Sequence, residues 1–176
     1  MLKALIKVIL YFSFIMLSAC ASNNTNTNPI PTSLDQVAAN QKLYQSNIPK
    51  DSTISAEAAY QKGVDYTTGE NNTTPDLIAA VNWIKYSASK GYAEAQFKLG
   101  LMYLQGIGVP VNKKNAFLSM LIAAQSGQPQ AQYYLSYFYL KGIGTEENFI
   151  LADYWLSQAK QNGAIIERLN LKHIDQ

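Results

Sequence analysis

The chain has 176 residues, with 14 Lys plus Arg against 12 Asp plus Glu, a formal net charge of +2, 48% apolar residues and 15% charged ones. The length suits one domain with room for a core, and a charged fraction well below the average of about 25% excludes a disordered acidic tail and a nucleic-acid-binding arm. One cysteine and one histidine leave no material for a disulfide framework or for a zinc site built within one chain.

Taken in chain order, Lys3 and Lys7 precede an apolar run from Val8 to Leu17 that only Ser13 interrupts. The run is half of the ~20 residues that a spanning helix needs, so residues 1–19 are predicted to be a secretion signal and not a permanent membrane helix. Leu17-Ser18-Ala19-Cys20 resembles the lipobox of bacterial lipoproteins. In that family the small residues fit the signal peptidase, and the cysteine thiol is acylated before cleavage leaves it as the first residue. The resemblance implies a lipidated Cys20, with palmitate among the acyl groups. An Asp after the cysteine is that family's usual signal for inner-membrane retention, and Ala21 stands there instead. The implied location is the outer membrane of a bacterial envelope, facing the periplasm. Each buried CH₂ contributes about 0.8 kcal/mol, so two or three chains would hold a domain on a bilayer essentially permanently. Removal of Lys3 and Lys7 with the signal leaves 12 basic against 12 acidic residues, so charge is not the expected means of attachment to a membrane or a nucleic acid.

Residues 20–33 then read as the lipidated cysteine and a tether, since Ser22 to Ser33 holds two prolines and one aliphatic residue among polar ones. Residues 34–55 read as a lead-in helix and loop. Ser33-Leu34-Asp35-Gln36 has the form of a capping box, Leu34, Val37, Ala38 and Gln41 share a helical face, and the helix is predicted to run to about Tyr44.

From residue 56 to 164 the sequence repeats itself. Ala93 to Gly108 is echoed by Pro129 to Gly144, with every equivalent pair 36 apart: Ala95 and Ala131, Leu99 and Leu135, Tyr103 and Tyr139, Gly106 and Gly142, Gly108 and Gly144. An earlier copy matches the second at a spacing of 37 through Ala58, Gly63, Tyr66 and Gly69, then at 36 through Ala80, Ala88 and Gly91, so it carries one extra residue between Gly69 and Ala80. Gly69, Gly106 and Gly142 read as the ends of first helices, and Gly91, Gly127 and Gly163 as the ends of second ones. Asp76, Asn112 and Asn148 are predicted N-caps of the second helices. Gly63 and Gly100 fall inside the first helix, where close approach of a neighbouring helix would offset their cost; Ser136 takes that place in the third copy. This pattern resembles the Sel-1-like (SLR) repeat, a relative of the tetratricopeptide repeat. The resemblance implies an all-α fold, a short right-handed α-solenoid of about three helix-turn-helix repeats. Residues 165–176, from Ile165 to Gln176, are predicted to form a C-terminal capping helix.

No constellation of chemical groups stands out. Ser87 to Lys90 and Ser157 to Lys160 both satisfy the S-x-x-K spacing of β-lactamases, but no S-D-N or K-T-G companion occurs. Each Lys also suits the C-terminal dipole of a second helix. A cysteine-rich secreted branch of the SLR family is β-lactamase-like, yet this chain has no cysteine after residue 20. His173 reads as a solvated cap residue, and Glu146-Glu147 as acids beside an N-cap. No cofactor, metal ligand or catalytic residue is therefore expected.

The aromatic residues carry more. Tyr66, Tyr103 and Tyr139 recur at one interior position, while Trp83 and Trp155 share another with Ser119 between them; these read as core. A second stripe along the first helices comprises Tyr60 and Val64, then Phe97, Leu101 and Leu104, then Tyr133, Tyr137 and Leu140. In tetratricopeptide-like arrays the corresponding face lines a groove, which makes these eight residues the candidate partner-binding surface, with inter-repeat packing as the other reading. The expectation is a non-enzymatic envelope lipoprotein, membrane-bound through lipid on Cys20, whose array binds an envelope protein or peptide and no nucleic acid. A β-lactamase-like cell-envelope hydrolase and a non-catalytic peptidoglycan-binding module are the alternatives.

Overall fold

Residues 53–166, those that the computed structural model describes, fold into six helices of 13 residues each: α1 (Ala56–Thr68), α2 (Leu77–Ser89), α3 (Ala93–Gln105), α4 (Lys113–Gln125), α5 (Pro129–Lys141) and α6 (Phe149–Gln161). There is no strand among the described residues. The helices pair as α1–α2, α3–α4 and α5–α6, and each pair packs on the next, α2 on α3 and α4 on α5. The fold is an all-α repeat array, as the 36-residue spacing predicts. No described helix is long and apolar enough to cross a membrane. The lead-in helix, Cys20, His173 and all but the first two residues of the predicted capping helix lie outside the described residues.

The caps show why helices of this length form here. Asp76 accepts hydrogen bonds from the backbone N–H of Ile78 and Ala79 at 2.9 and 3.0 Å, Asn112 accepts from Asn115 at 2.9 Å, and Asn148 accepts from Leu151 at 3.0 Å. Each capping residue also donates its own N–H to the carbonyl of the recurrent tyrosine one helix earlier: Asp76 to Tyr66 at 2.9 Å, Asn112 to Tyr103 at 2.8 Å, Asn148 to Tyr139 at 2.8 Å. The tyrosine position thus fixes the turn through its backbone and the core through its ring. Tyr103 and Tyr139 are buried, Tyr66 is half-buried, and the Tyr139 ring stands edge-on to Phe117 at 5.4 Å.

The extra residue of the first copy lies in the α1–α2 turn, where Asn71 and Asn72 adopt left-handed φ of 52° and 59°. Asn71 occupies the place of Gly108 and Gly144 in the later turns. Those two glycines have a reason to lack a side chain: a Cβ on Gly108 would lie 2.8 Å from the carbonyl carbon of Leu77, and one on Gly144 would lie 2.6 Å from that of Lys113. The turn of one repeat is pressed against the first turn of the preceding repeat's second helix. The first described repeat has no such predecessor among the described residues, and there asparagine, which tolerates the left-handed region, suffices. Within the repeats, Cβ atoms on Gly63 and Gly100 would meet Ile84 at 2.7 Å and Met120 at 3.0 Å, the close approach predicted for them.

Among the described residues, the apolar interface between repeats stops at both ends of the array. Positions filled by the buried Leu99 and Leu135, and by the buried Met102 and Phe138, are held in α1 by Lys62 and Asp65. On α6, Asp153, Ser157 and Lys160, all exposed, occupy the places of Phe117, Leu121 and Ala124, all buried. Polar end faces are what a repeat array needs where stacking ends. Ile165 and Ile166, the described part of the predicted cap, are 66% and 45% exposed.

Candidate functional site

The first helix of each pair carries the aromatic stripe, and the structure sorts its members by exposure. Tyr60, Val64, Phe97, Leu101, Tyr133 and Tyr137 are half-buried. Two of them are engaged between repeats: the Tyr60 ring lies 5.3 Å from Tyr92, and the Phe97 ring stands edge-on to Tyr134 at 5.6 Å. Leu104, only 5% exposed, belongs to the core and offers nothing to a partner, whereas its counterpart Leu140 in the last repeat is 41% exposed. Leu101 and Tyr137 pack against the core with part of their surface left open, and Val64 stands at the same register, with Tyr60, Phe97 and Tyr133 beside them as half-covered rings. Sequence reasoning missed Tyr134, half-buried at the register of Gln61 and Lys98. Its signal was a tyrosine replacing polar residues at a position the repeat otherwise leaves wet. Burial raises the Tyr60 and Tyr134 hydroxyls above their ordinary pKa, with Glu94 adding to the effect at Tyr60 and Tyr133 at Tyr134, and burial pushes Tyr139 up to about 12. These are neutral phenols throughout the physiological range.

Two buried glutamines couple the repeats. Gln96 Nε2 donates to the Ala88 carbonyl of α2 at 3.3 Å, and Gln132 Nε2 donates to the Ala124 carbonyl of α4 at 3.1 Å. Their Oε1 atoms accept from the ends of the helices they pair with, Gln96 from Ser126 at 3.4 Å and Gln132 from Asn162 at 2.9 Å. Each amide therefore ties three helices while its own buried donor and acceptor are both satisfied. The first copy has Ala59 at this position, with no preceding helix end among the described residues to bridge. Glu94 and Gln128 add a longer contact at 3.4 Å, and the Gln128 side chain caps α5 by accepting from Ala131 N–H.

Lys85 is a further residue that periodicity did not reveal. It stands 8% exposed in α2 where α4 has Leu121, with its Nζ 5.9 Å from the centre of the Tyr103 ring of the next repeat. Burial lowers its pKa below the usual 10.5. A lysine whose folded-state pKa is depressed destabilises the fold while it is charged, and that penalty is relieved as pH rises through the lowered pKa towards 10.5. Lys85→Leu is therefore expected to raise the Tm at pH 7, with the gain shrinking as pH approaches 10.5. Thermal unfolding of both proteins across pH 7 to 10.5 checks this, and an equal loss of stability at every pH would contradict it.

The S-x-x-K pairs do not come together as reacting groups. Ser87 is fully buried, and its hydroxyl donates to the Ala56 carbonyl at 2.5 Å, while Lys90 is exposed with its Nζ over the Tyr86 ring at 5.4 Å. Ser157 and Lys160 sit exposed on the outward face of α6, where Ser157 Oγ accepts from Gln161 at 3.4 Å. Glu146 and Glu147 are exposed in the turn before Asn148. Asp65 is buried at the outer end of the array, where its carboxylate accepts from Gln61 at 3.0 Å and Asn71 at 2.9 Å and serves to hold the first turn. No group of three or more metal-ligating side chains occurs among the described residues. Of the tryptophan position, Trp155 is buried, Trp83 is half-buried beneath the Lys62 ammonium at 4.2 Å, and Ser119 between them is fully buried with a hydroxyl that has no hydrogen-bond partner.

Comparison with known proteins agrees with this geometry. The family model of the Sel1 repeat matches residues 56–92, 93–127 and 129–163, one helix pair each. Among solved structures, the chain is similar to c5321, a protective antigen of uropathogenic Escherichia coli displaying an SLR fold, with 34% identity and a TM-score of 0.59 over 61% of this chain and 23% of that one. The chain thus spans less than a quarter of that protein's length. It is also similar to a Sel1 repeat protein from Oxalobacter formigenes, with 27% identity and a TM-score of 0.58 over 76% of this chain and 93% of that one. Among curated proteins none matches.

Proposed function

We propose, from the premise that this chain belongs to the Sel1-repeat family, that it is a lipid-anchored scaffold of the bacterial envelope whose array captures another protein. Sel1 repeats suggest protein partners in general. The observation that carries the finer reading is the row of half-buried apolar side chains at one register of all three first helices, Val64, Leu101 and Tyr137, flanked by Tyr60, Phe97 and Tyr133. Rings already held by their neighbours offer contact area at little entropic cost to a partner. Acylation of Cys20 after a secretion signal over residues 1–19 places the array at the outer membrane, facing the periplasm. The partner is an envelope protein or a peptide segment of one.

The test is crosslinking in intact cells followed by mass spectrometry, comparing the wild type with Tyr133→Ala and Tyr137→Ala. The expected result is loss of the crosslinked partner with only a small change in Tm, since both side chains keep solvent contact. Retained capture with a Tm lower by several degrees would return these residues to inter-repeat packing.

A further inference from the structure

Among the described residues, six of the eight exposed large apolar residues lie at one edge of the array, the edge formed by the turns within repeats. They are Leu77, Ile78, Val111, Leu140, Phe149 and Ile150. Four of them occupy the first two positions of α2 and α6, with Ile78, Phe149 and Ile150 at 68%, 66% and 78% exposure. The same two positions of α4, between them along the array, hold Lys113 and Lys114, both exposed. The edge is continuous: the Gly108 turn abuts the Leu77 carbonyl of α2 and leads into α4, and the Gly144 turn abuts the Lys113 carbonyl of α4 and leads into α6.

This composition runs against what the helices themselves would select. The positive end of the helix dipole favours acids in the first turn and disfavours lysine. Helices α1 and α3 have Glu57 and Glu94 there, while α2, α4 and α6 have no acid. Leu77, Ile78, Phe149 and Ile150 leave 43%, 68%, 66% and 78% of their surface to solvent, apolar area that packing does not use. We propose that this edge is a membrane-contact ridge that inserts Leu77, Ile78, Phe149 and Ile150 among lipid headgroups while Lys113 and Lys114 meet their phosphates. The ridge orients the array and does not anchor it. The proposal rests on the reading of Cys20 as the anchor. Thirty-two residues separate Cys20 from Thr53, so even fully extended chain holds the array within about 115 Å of the bilayer. Confinement of that kind raises the effective concentration of a weak second contact. A second copy of the chain fits poorly, because a two-fold pairing centred on the ridge would bring four lysines together. Glu70, Asp76, Glu146 and Glu147, all exposed in the same turns, outnumber the lysine pair, so insertion of the apolar residues carries the binding and the lysines only offset part of the acidic charge that faces the headgroups.

The test separates the ridge from the anchor by using the unacylated mature chain, residues 20–176 carrying Cys20→Ser. It is sedimented with vesicles of phosphatidylethanolamine alone and of phosphatidylethanolamine with phosphatidylglycerol. Binding is expected on both compositions, and Ile78→Ser with Phe149→Ser and Ile150→Ser is expected to weaken it at least tenfold on each. Lys113→Gln with Lys114→Gln should cost roughly fivefold per lysine on anionic vesicles and little on the others. Circular dichroism melting controls for folding. Equal binding of all variants, no vesicle binding at all, or loss of a captured envelope protein from the ridge variants without any vesicle binding would overturn the proposal. Failure of lipidation at Cys20, read by acyl labelling, would remove the anchor and leave the vesicle result standing on its own.

Discussion

Gly144→Ala is expected to destabilise the array by about 2–5 kcal/mol and to lower the Tm by roughly 10 °C or more. Two costs combine. The residue sits at φ 68°, where an L side chain is strained, and its Cβ would lie 2.6 Å from the carbonyl carbon and 3.0 Å from the Lys114 nitrogen of a helix end that cannot move without unstacking two repeats. Gly108→Ala, against Leu77, should behave alike. Gly91→Ala separates the two costs, because φ there is 86° but nothing lies within 4 Å of a Cβ. It should show the conformational term alone, about 1–2 kcal/mol. Thermal or urea unfolding of the three variants checks this, and similar losses for Gly91→Ala and Gly144→Ala would mean that inter-repeat contact at the turn contributes nothing.

These glycines mark how far the fold could be read from the chain. Caps, helix ends and the close approaches at Gly63 and Gly100 depend on a few residues in sequence, so periodicity was enough to find them. Gln96 and Gln132 were visible as identical letters 36 apart, but their work is to meet a carbonyl eight residues earlier in another helix and an amide or hydroxyl 30 residues later, which no local pattern expresses. Lys85 looks like an ordinary surface lysine until the next repeat covers it. The stripe shows the same limit: Leu104 and Leu140 are equivalent in sequence, yet a following repeat buries one and leaves the other open. Which residues face a partner depends on where stacking stops, and that was legible only once Lys62, Asp65, Asp153, Ser157 and Lys160 could be placed on the ends.

The second large effect concerns location. The proposal about where the array works depends on one atom, the Sγ of Cys20: cleavage before it would remove Lys3 and Lys7 and leave 12 basic against 12 acidic residues, so charge would not supply the attachment. On that proposal, losing two or three acyl chains would remove ~0.8 kcal/mol per buried CH₂, far more than the ridge at the turn edge could replace. Cys20→Ala should therefore move the protein from the membrane fraction to the soluble one, or leave its leader uncleaved. The most direct measurement is metabolic labelling with radioactive palmitate, followed by fractionation of the envelope. The account predicts label in the wild-type protein, none in Cys20→Ala, and recovery of the labelled form with the outer membrane. Equal labelling of the two proteins, or an unlabelled wild type that fractionates as soluble, would contradict it.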